Sequence, residues 1–278
     1  MQPGGVGLAR EATQHMPHGA GVEPTAWSGR GLKLGHAGQY IEAVSIPLAA
    51  TLPGQCGLCH GWGTARLCYT CVQRFASPRP RCRRCALAVP EGQPLCGACL
   101  TSPPAFDRAV AAVDYSHPWD GLITRFKFHQ GLDLASALAG LLARAVRESD
   151  LVTPALLLPV PLSEPRLRER GYNQAWELAR RVAHTLHLKA DAHLLLRMRD
   201  TPHQIALPHE RRAANVRGAF AVEPRRRHEL EGARVAVVDD VVTTGATVGE
   251  IAKVLMQAGA SEVQVWMLAR TPRPEDRA

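Results

Sequence analysis

The sequence predicts an α/β fold, in which helices cover a parallel β-sheet, preceded by a small cysteine-rich module. Beyond residue 104, short apolar segments suited to buried strands alternate with segments of helical period. Before that point, all eight cysteines of the 278-residue chain lie between Cys56 and Cys99. The module contains few large aliphatic side chains, so it cannot form a sufficient hydrophobic core and needs another source of stability.

Composition limits the class of protein. Hydrophobic residues make up 46% of the chain, enough for a buried core, and no run of eighteen apolar residues predicts a membrane span. The first residues lack the pattern of a secretory signal, so we expect a cytoplasmic protein. The net charge of +8 favours anionic partners such as phosphates, nucleotides or nucleic acid, although charge spread over a solvated surface explains it equally well.

Three regions are predicted along the chain. Residues 1–38 are rich in Gly, Pro, Ser and His without a sustained period, which indicates a disordered extension. Residues 39–103 are expected to form a short helix, over 39–52, followed by the cysteine module. Residues 104–278 are expected to form the α/β domain.

The elements of this domain follow from hydrophobic period. Strands are predicted at residues 108–115, 155–160, 234–238 and 262–268. Helices are predicted at residues 118–128, 132–147, 173–186 and 246–257. The polar segment 197–215 contains two prolines and is predicted to be a flexible loop.

The cysteines form four Cys-x-x-Cys pairs, which in a reducing compartment bind metal far more often than they cross-link. The pairs are Cys56/Cys59, Cys68/Cys71, Cys82/Cys85 and Cys96/Cys99. Two consecutive quartets would each give a tetrahedral zinc ribbon, and a closed four-thiolate site is structural rather than catalytic. We therefore predict two structural Zn²⁺ ions. A crossed pairing of the Cys-x-x-Cys units, redox dithiols and an iron–sulfur cluster remain alternatives.

The module also carries arginines close to aromatic residues, a combination that suits single-stranded nucleic acid through phosphate contacts and base stacking. The residues are Arg66, Arg74, Arg79, Arg81, Arg83 and Arg84 with Trp62, Tyr69 and Phe75. Solubilising charge on a small ribbon is the alternative explanation.

Residues 235–247 carry the clearest chemical signal. Four apolar residues form a predicted strand, Asp239 and Asp240 follow it, and a loop then opens into a helix. The loop residues are Thr243, Thr244, Gly245, Ala246 and Thr247. Such a loop offers backbone N–H groups and hydroxyls to a phosphate, and two adjacent carboxylates can accept hydrogen bonds from ribose hydroxyls, directly or around hydrated Mg²⁺.

Two further segments contribute cations. Arg166, Arg168 and Arg170 lie in a predicted loop that precedes a helix, where they could bind pyrophosphate, although a solvated basic turn is the alternative. The flexible loop carries Arg199, Gln204 and Arg211, and its closure would exclude water from a reactive sugar centre.

Residues 239–247 resemble the phosphoribosyl pyrophosphate (PRPP) motif of class I phosphoribosyltransferases. Together with the cysteine array, the segments 115–128, 159–161, 170–174 and 204–215 give the chain a resemblance to the competence protein F (ComF) family over about residues 53 to 270. The resemblance implies a phosphoribosyltransferase-type sheet with a flexible loop. It also implies Asp239 and Asp240 as the candidate catalytic pair that holds the ribose, and residues 243–247 as the 5′-phosphate cradle.

The resemblance leaves two functions open. The first is an enzyme that transfers a phosphoribosyl group from PRPP, with Mg²⁺, and releases pyrophosphate. The second is a competence factor that binds single-stranded DNA during DNA uptake, together with other uptake proteins, and in which the PRPP site is a sensor or a vestige.

Overall fold

The computed structural model describes residues 53–128, 131–199 and 216–273. The predicted disordered extension, the predicted helix at 39–52 and most of the predicted flexible loop lie outside the described residues. Along the described ranges, no helix has the length and apolar character that crossing a membrane requires. The predicted region boundaries at residues 38 and 103 stay predictions.

The cysteine module is built from very short elements, and the domain that follows alternates strands and helices. The elements of the module are β1 (Gly54–Gln55), β2 (Trp62–Gly63), α1 (Tyr69–Phe75) and α2 (Gly97–Thr101). The strands of the domain are β3 (Arg108–Asp114), β4 (Leu156–Pro159), β5 (Leu195–Arg197), β6 (Phe220–Val222), β7 (Arg234–Val242) and β8 (Glu262–Arg270). The helices of the domain are α3 (Trp119–Phe128), α4 (Ala135–Arg147), α5 (Glu164–Arg170), α6 (Gln174–Leu186) and α7 (Ala246–Gln257), with 3₁₀ helices at Gly131–Leu134 and Pro224–Leu230.

Four strands form one parallel sheet in the order β3-β8-β7-β4. Val238 of β7 lies opposite Trp266 of β8 on one side and Pro159 of β4 on the other. This parallel sheet, with its helices and the preceding module of two four-cysteine groups, confirms the predicted α/β fold class.

Helices cover both faces of the sheet because successive strand residues point to opposite sides. Val265 and Met267 belong to the core that contains the buried residues of α7. Trp266 and Leu268 belong to the core formed with α3, α4 and α6. Burial on both faces of β8 therefore explains why residues 265–269 are all apolar rather than alternating with polar residues.

Three local expectations differ from the structure. The strand predicted to stop at residue 238 continues to Val242, because Val241 pairs with Ala269 and Val242 with Arg270 of β8. The acid pair therefore lies inside the strand rather than after it.

The segment that carries the three pyrophosphate-loop arginines is helix α5 rather than a loop. A proline in its first turn and Gly171 in the left-handed conformation, with φ 78°, fit a helix start and end. Strands β5 and β6, an antiparallel pair, were not predicted, since three residues are too few to show a period.

The chain beside α3 leaves no room for a side chain at Gly131. An added Cβ would lie 2.9 Å from the Arg125 carbonyl oxygen and 3.0 Å from the Phe126 Cα. We expect Gly131→Ala to lower the free energy of unfolding by about 1–3 kcal/mol, as overpacking does. Gly140→Ala is the matched control, because Gly140 is exposed in α4 and a Cβ added there would have no neighbouring side chain or segment within 4 Å. This change should stabilise the folded protein by about 0.5–1 kcal/mol. Equal urea midpoints for the two variants would contradict this.

Candidate functional site

The acid pair lies near the carboxyl end of β7, where ligands of parallel sheets bind. The Asp240 N–H donates to Asp239 Oδ1 at 2.9 Å, and the Val241 N–H donates to Asp240 Oδ1 at 2.7 Å. Asp240 is buried, and Lys127 Nζ, near the end of α3, lies 3.2 Å from its Oδ1. The two carboxyl groups are thus held by their own backbone and share one nearby cation.

The surroundings of Asp239 raise its pKa. Burial raises the pKa of Asp239 to about 8; the charge of Asp240 acts in the same direction, and Lys127 opposes both. Its surroundings therefore favour the protonated form of Asp239 in the free protein. A ligand that brings positive charge or hydrogen-bond donors to this site would favour the ionised form.

The phosphate loop follows directly. Gly245 has φ 82°, and its added Cβ would meet the Phe106 ring only at 3.8 Å, so the backbone conformation rather than space requires glycine. The Ala246 N–H donates to Thr244 Oγ1 at 3.2 Å. The loop, from Thr243 to the first turn of α7, lines a small cavity of about 30 Å³ together with Asp239. The structure thus brings Asp239, one of the two predicted ribose acids, and the predicted 5′-phosphate residues to one cavity, whereas Asp240 is not among its lining residues.

The predicted pyrophosphate arginines are placed differently from one another. Arg170 lies over the Phe128 ring, 4.6 Å from its centroid, and donates to Gln174 Oε1 at 3.0 Å. Arg168 is exposed and pairs with Glu164 on its own helix. Arg166 lies in the same helix. Arg170 thus contacts the residue that follows Lys127 in α3.

Few of the predicted flexible-loop residues are described. Arg199 donates to the Arg217 carbonyl oxygen, across the two ends of the segment that holds the loop. Gln204 and Arg211 lie outside the described residues.

Two residues of the site were not predicted as such. The sequence marks Lys127 only as part of the family resemblance, because a lone lysine near a helix end carries no signal of its own. Arg270, at the end of β8, is buried, and its Nη1 donates to the carbonyl oxygens of Val242, at 3.0 Å, and Thr243. A strand-end arginine gives no indication in the sequence of the loop it contacts.

The cysteines gather into two groups, each made of two consecutive Cys-x-x-Cys pairs, which excludes the crossed pairing. The groups are Cys56, Cys59, Cys68 and Cys71, and Cys82, Cys85, Cys96 and Cys99, with all Sγ atoms of a group within 4.8 Å of one another. Thiolates about 2.3 Å from a tetrahedral zinc ion lie about 3.8 Å apart. The Sγ–Sγ distances of 3.8 Å for Cys59–Cys68 and 3.6 Å for Cys85–Cys96 match this spacing, so both groups could hold a zinc ion.

One thiol of each group has a lowered pKa. Burial raises the pKa of Cys56, but hydrogen bonds from the backbone of Cys59 and Cys68 outweigh it and lower the pKa to about 6. Cys82 shows the same balance, with a pKa of about 7. Because thiolates are the metal ligands, a lowered pKa in each group favours metal binding.

The module packs against the α/β domain. Trp119 of α3 donates to the Phe75 carbonyl oxygen at 2.8 Å, and Arg81 pairs with Asp114 of β3 at 2.7 Å. Most of the arginines predicted to face nucleic acid are engaged in such contacts, as ion pairs or in a hydrogen bond to backbone: Arg66, Arg79, Arg81 and Arg83 pair with acids, and Arg84 donates to the Pro104 carbonyl oxygen.

Comparison with solved structures finds distant likenesses. A glutamine phosphoribosylpyrophosphate amidotransferase from B. subtilis is 25% identical, with a TM-score of 0.34, over 49% of this chain and 26% of its own length. A purine phosphoribosyltransferase from Pyrococcus horikoshii is 20% identical, with a TM-score of 0.30, over 48% of this chain and 70% of its own. Our chain thus spans about a quarter of the amidotransferase. TM-scores of this size support no conclusion about fold or activity.

Comparison of sequences gives near full-length relatives, although no protein-family model matches the chain. The DNA utilization protein YhgH of Escherichia coli (strain K12) is 36% identical over 231 residues, which cover 80% of this chain and 99% of the relative. Competence protein F of Haemophilus influenzae is 36% identical over 208 residues, which cover 73% and 90%. With these identities and coverages, the chain belongs to the competence protein F (ComF) family.

Proposed function

We propose that this chain binds PRPP at the acid pair and phosphate loop and transfers its phosphoribosyl group to a nitrogen acceptor, releasing pyrophosphate. The observation that carries the proposal is the shared cavity of Asp239 and the loop at the start of α7. A carboxyl group with a raised pKa beside a set of backbone N–H groups suits a sugar phosphate, which presents hydroxyl donors and an anion a few bonds apart.

Each group has a defined role in this reaction. Asp239 and Asp240 accept hydrogen bonds from the ribose hydroxyls, and residues 243–247 hold the 5′-phosphate. Arg170 and Lys127 supply positive charge towards the leaving pyrophosphate. As the acceptor nitrogen bonds to C1′, the C1′–O bond to pyrophosphate breaks, pyrophosphate takes the electron pair, and the acceptor's proton passes to water.

Magnesium belongs to the proposal as well. Carboxylate oxygens are ligands that suit Mg²⁺, and the acid pair provides them, although Lys127 already lies against one oxygen of Asp240. A hydrated ion held by these carboxylates would neutralise charge on the pyrophosphate.

The names of the relatives support a biological setting in DNA utilization and uptake, with other uptake proteins as partners. The reducing cytoplasm suits two zinc-loaded thiolate groups.

Turnover tests the enzyme directly. We expect zinc-loaded protein with Mg²⁺ and PRPP to release pyrophosphate when a purine, pyrimidine or amine acceptor of the right kind is added. The variant carrying Asp239→Asn and Asp240→Asn should lose this activity by at least about 100-fold. Glu148→Gln, which changes an exposed carboxylate paired with Arg144 on α4, is the control and should not lose it. PRPP binding without turnover, for every acceptor, would contradict the transferase.

A second candidate is a factor that binds single-stranded DNA, and one observation favours it. Trp62 and Tyr69 of the module are 74% and 77% exposed, and Arg74 lies over the Phe75 ring, 5.2 Å from its centroid. Exposed aromatic rings with a nearby cation are typical of stacking surfaces for single strands. Loss of binding to labelled single-stranded DNA in Trp62→Ala with Tyr69→Ala, and full binding in the Asp239/Asp240 double variant, would support this candidate.

A further inference from the structure

The guanidinium of Arg270 contacts both the phosphate loop and the second four-cysteine group. Its Nη1 donates to the carbonyl oxygens of Val242, at 3.0 Å, and Thr243, and its Nε donates to the Cys85 carbonyl oxygen at 2.9 Å. Arg270 is 6% exposed. A planar guanidinium has fixed donor directions, so the positions of these carbonyl groups depend on one another.

A second set of contacts also connects the phosphate loop with the second four-cysteine group. Ala86, directly after Cys85, is fully buried in the core that also contains Phe106. The Phe106 ring lies beneath Gly245 of the phosphate loop. The Ala86 N–H donates to the Cys82 carbonyl oxygen at 2.8 Å, which joins this residue to the backbone of the first cysteine of the group.

Carbonyl direction matters because the peptide unit is planar and trans. The Thr243 carbonyl and the Thr244 N–H belong to one peptide plane and point in opposite directions. Arg270 holds the Thr243 carbonyl and shares the Val242 carbonyl with the Thr271 N–H, which donates to it at 3.0 Å. Arg270 therefore helps to set the direction of the N–H groups of Thr243 and Thr244, at the start of the loop proposed to hold the 5′-phosphate. Its acceptor at Cys85 is in place only while the Cys82–Cys85 turn keeps its shape, which a bound metal ion would enforce.

We infer that Arg270 is a positioning residue that couples the second four-cysteine group to the phosphate loop, so that metal retention and PRPP affinity change together. This inference rests on the proposed function, since it requires PRPP to bind. Coupling between two sites is reciprocal: a metal that favours the binding form of the loop must itself be held more tightly when PRPP is bound.

Release of zinc to a zinc-selective chelator, with and without PRPP and Mg²⁺, measures the coupling in the full chain. The two ions can be told apart, because Cys59 of the first group is exposed, whereas three cysteines of the second group are buried. We expect a fast phase from the first group and a slow phase from the second. In the wild type, saturating PRPP should slow the slow phase about tenfold and leave the fast phase little changed.

The variant Arg270→Lys keeps the charge but cannot make all of these hydrogen bonds. We expect it to bind PRPP about tenfold more weakly by calorimetry and to lose the protection of the slow phase. Arg234→Lys is the matched control: Arg234 joins β7 to β8 at the other end of the same strands, through Glu262, and should behave as the wild type does.

The possible results distinguish a failure of the coupling from a failure of PRPP binding. PRPP that binds the wild type but slows both phases equally, or that still protects the slow phase in Arg270→Lys, overturns the coupling and leaves the proposed function standing. A wild type that holds two zinc ions and binds no PRPP overturns both. The wild-type protection measurement needs no variant, so it shows whether the coupling exists, and its absence overturns the inference, even if Arg270→Lys does not fold.

Discussion

Cys99→Ser is expected to unfold the cysteine module and to lower the melting temperature of the whole chain sharply. Cys99 is buried in a cluster that consists largely of the second metal group itself. Four thiolates on a structural zinc ion supply about 10–16 kcal/mol in zinc-finger peptides, which is comparable to the entire net stability of a domain, about 5–15 kcal/mol. Removal of one ligand should therefore reduce the metal content from two ions to one and abolish cooperative unfolding of the module.

Elemental analysis and thermal unfolding followed by circular dichroism measure this effect. Ala98→Ser is the control, because Ala98 is exposed in the same helix and the change adds a hydroxyl without removing a ligand. A Cys99→Ser protein that keeps two metal ions, or melts with the control, would show that the second group is not a metal site.

Asp239→Asn is expected to stabilise the ligand-free protein while it abolishes PRPP binding. The Asp239 carboxyl, which is partly buried beside Asp240, has a pKa raised from 3.8 to about 8, so ionising it in the folded state is unfavourable. Asparagine keeps an oxygen to accept the Asp240 N–H but carries no charge. Such exchanges at functional sites gain about 1–2 kcal/mol at the cost of activity.

The difference in stability between Asp239→Asn and the wild type should increase with pH. Between about pH 4 and pH 8 the unfolded wild type has lost the Asp239 proton while the folded protein keeps it, so the wild type loses stability as the pH rises. Asparagine does not titrate, so the stability advantage of Asp239→Asn should grow over this range and level off above it. Urea unfolding at several pH values, with PRPP calorimetry alongside, tests it. A variant that is less stable at pH 8 and binds PRPP normally would assign the acid pair a structural role.

The sequence predicts best the elements that a pattern within one segment indicates. The predicted limits of α7 match the structure, and Asn173 caps α6 through two N–H groups, as its place before an amphipathic segment indicates. The strand β7 extends beyond its apolar run because β8 offers hydrogen bonds to Val241 and Val242. Pairing of this kind depends on a partner strand and cannot be seen in one segment.

Much of the candidate site depends on contacts between distant segments. Lys127 and Asp240 are far apart in the chain and meet only because α3 packs beside the end of β7. The module arginines appeared available for nucleic acid in the sequence, yet Asp114, Asp133 and Asp150 of the α/β domain pair with several of them. Whether an arginine is available to a ligand depends on the acidic residues that folding places beside it. The local sequence around the arginine does not show which residues these are.

The position of the module at one edge of the sheet has a consequence for how the protein survives metal shortage. β3 is an outer strand, and the Ala109 N–H donates to the Arg83 carbonyl oxygen of the module at 3.1 Å. At the opposite edge, Leu157 of β4 bonds to the segment around Ala190. Unpaired outer strands invite pairing with strands of other molecules. If loss of the metal unfolds the module, β3 becomes an exposed edge strand, and we expect metal-free chains to aggregate more readily than metal-loaded ones.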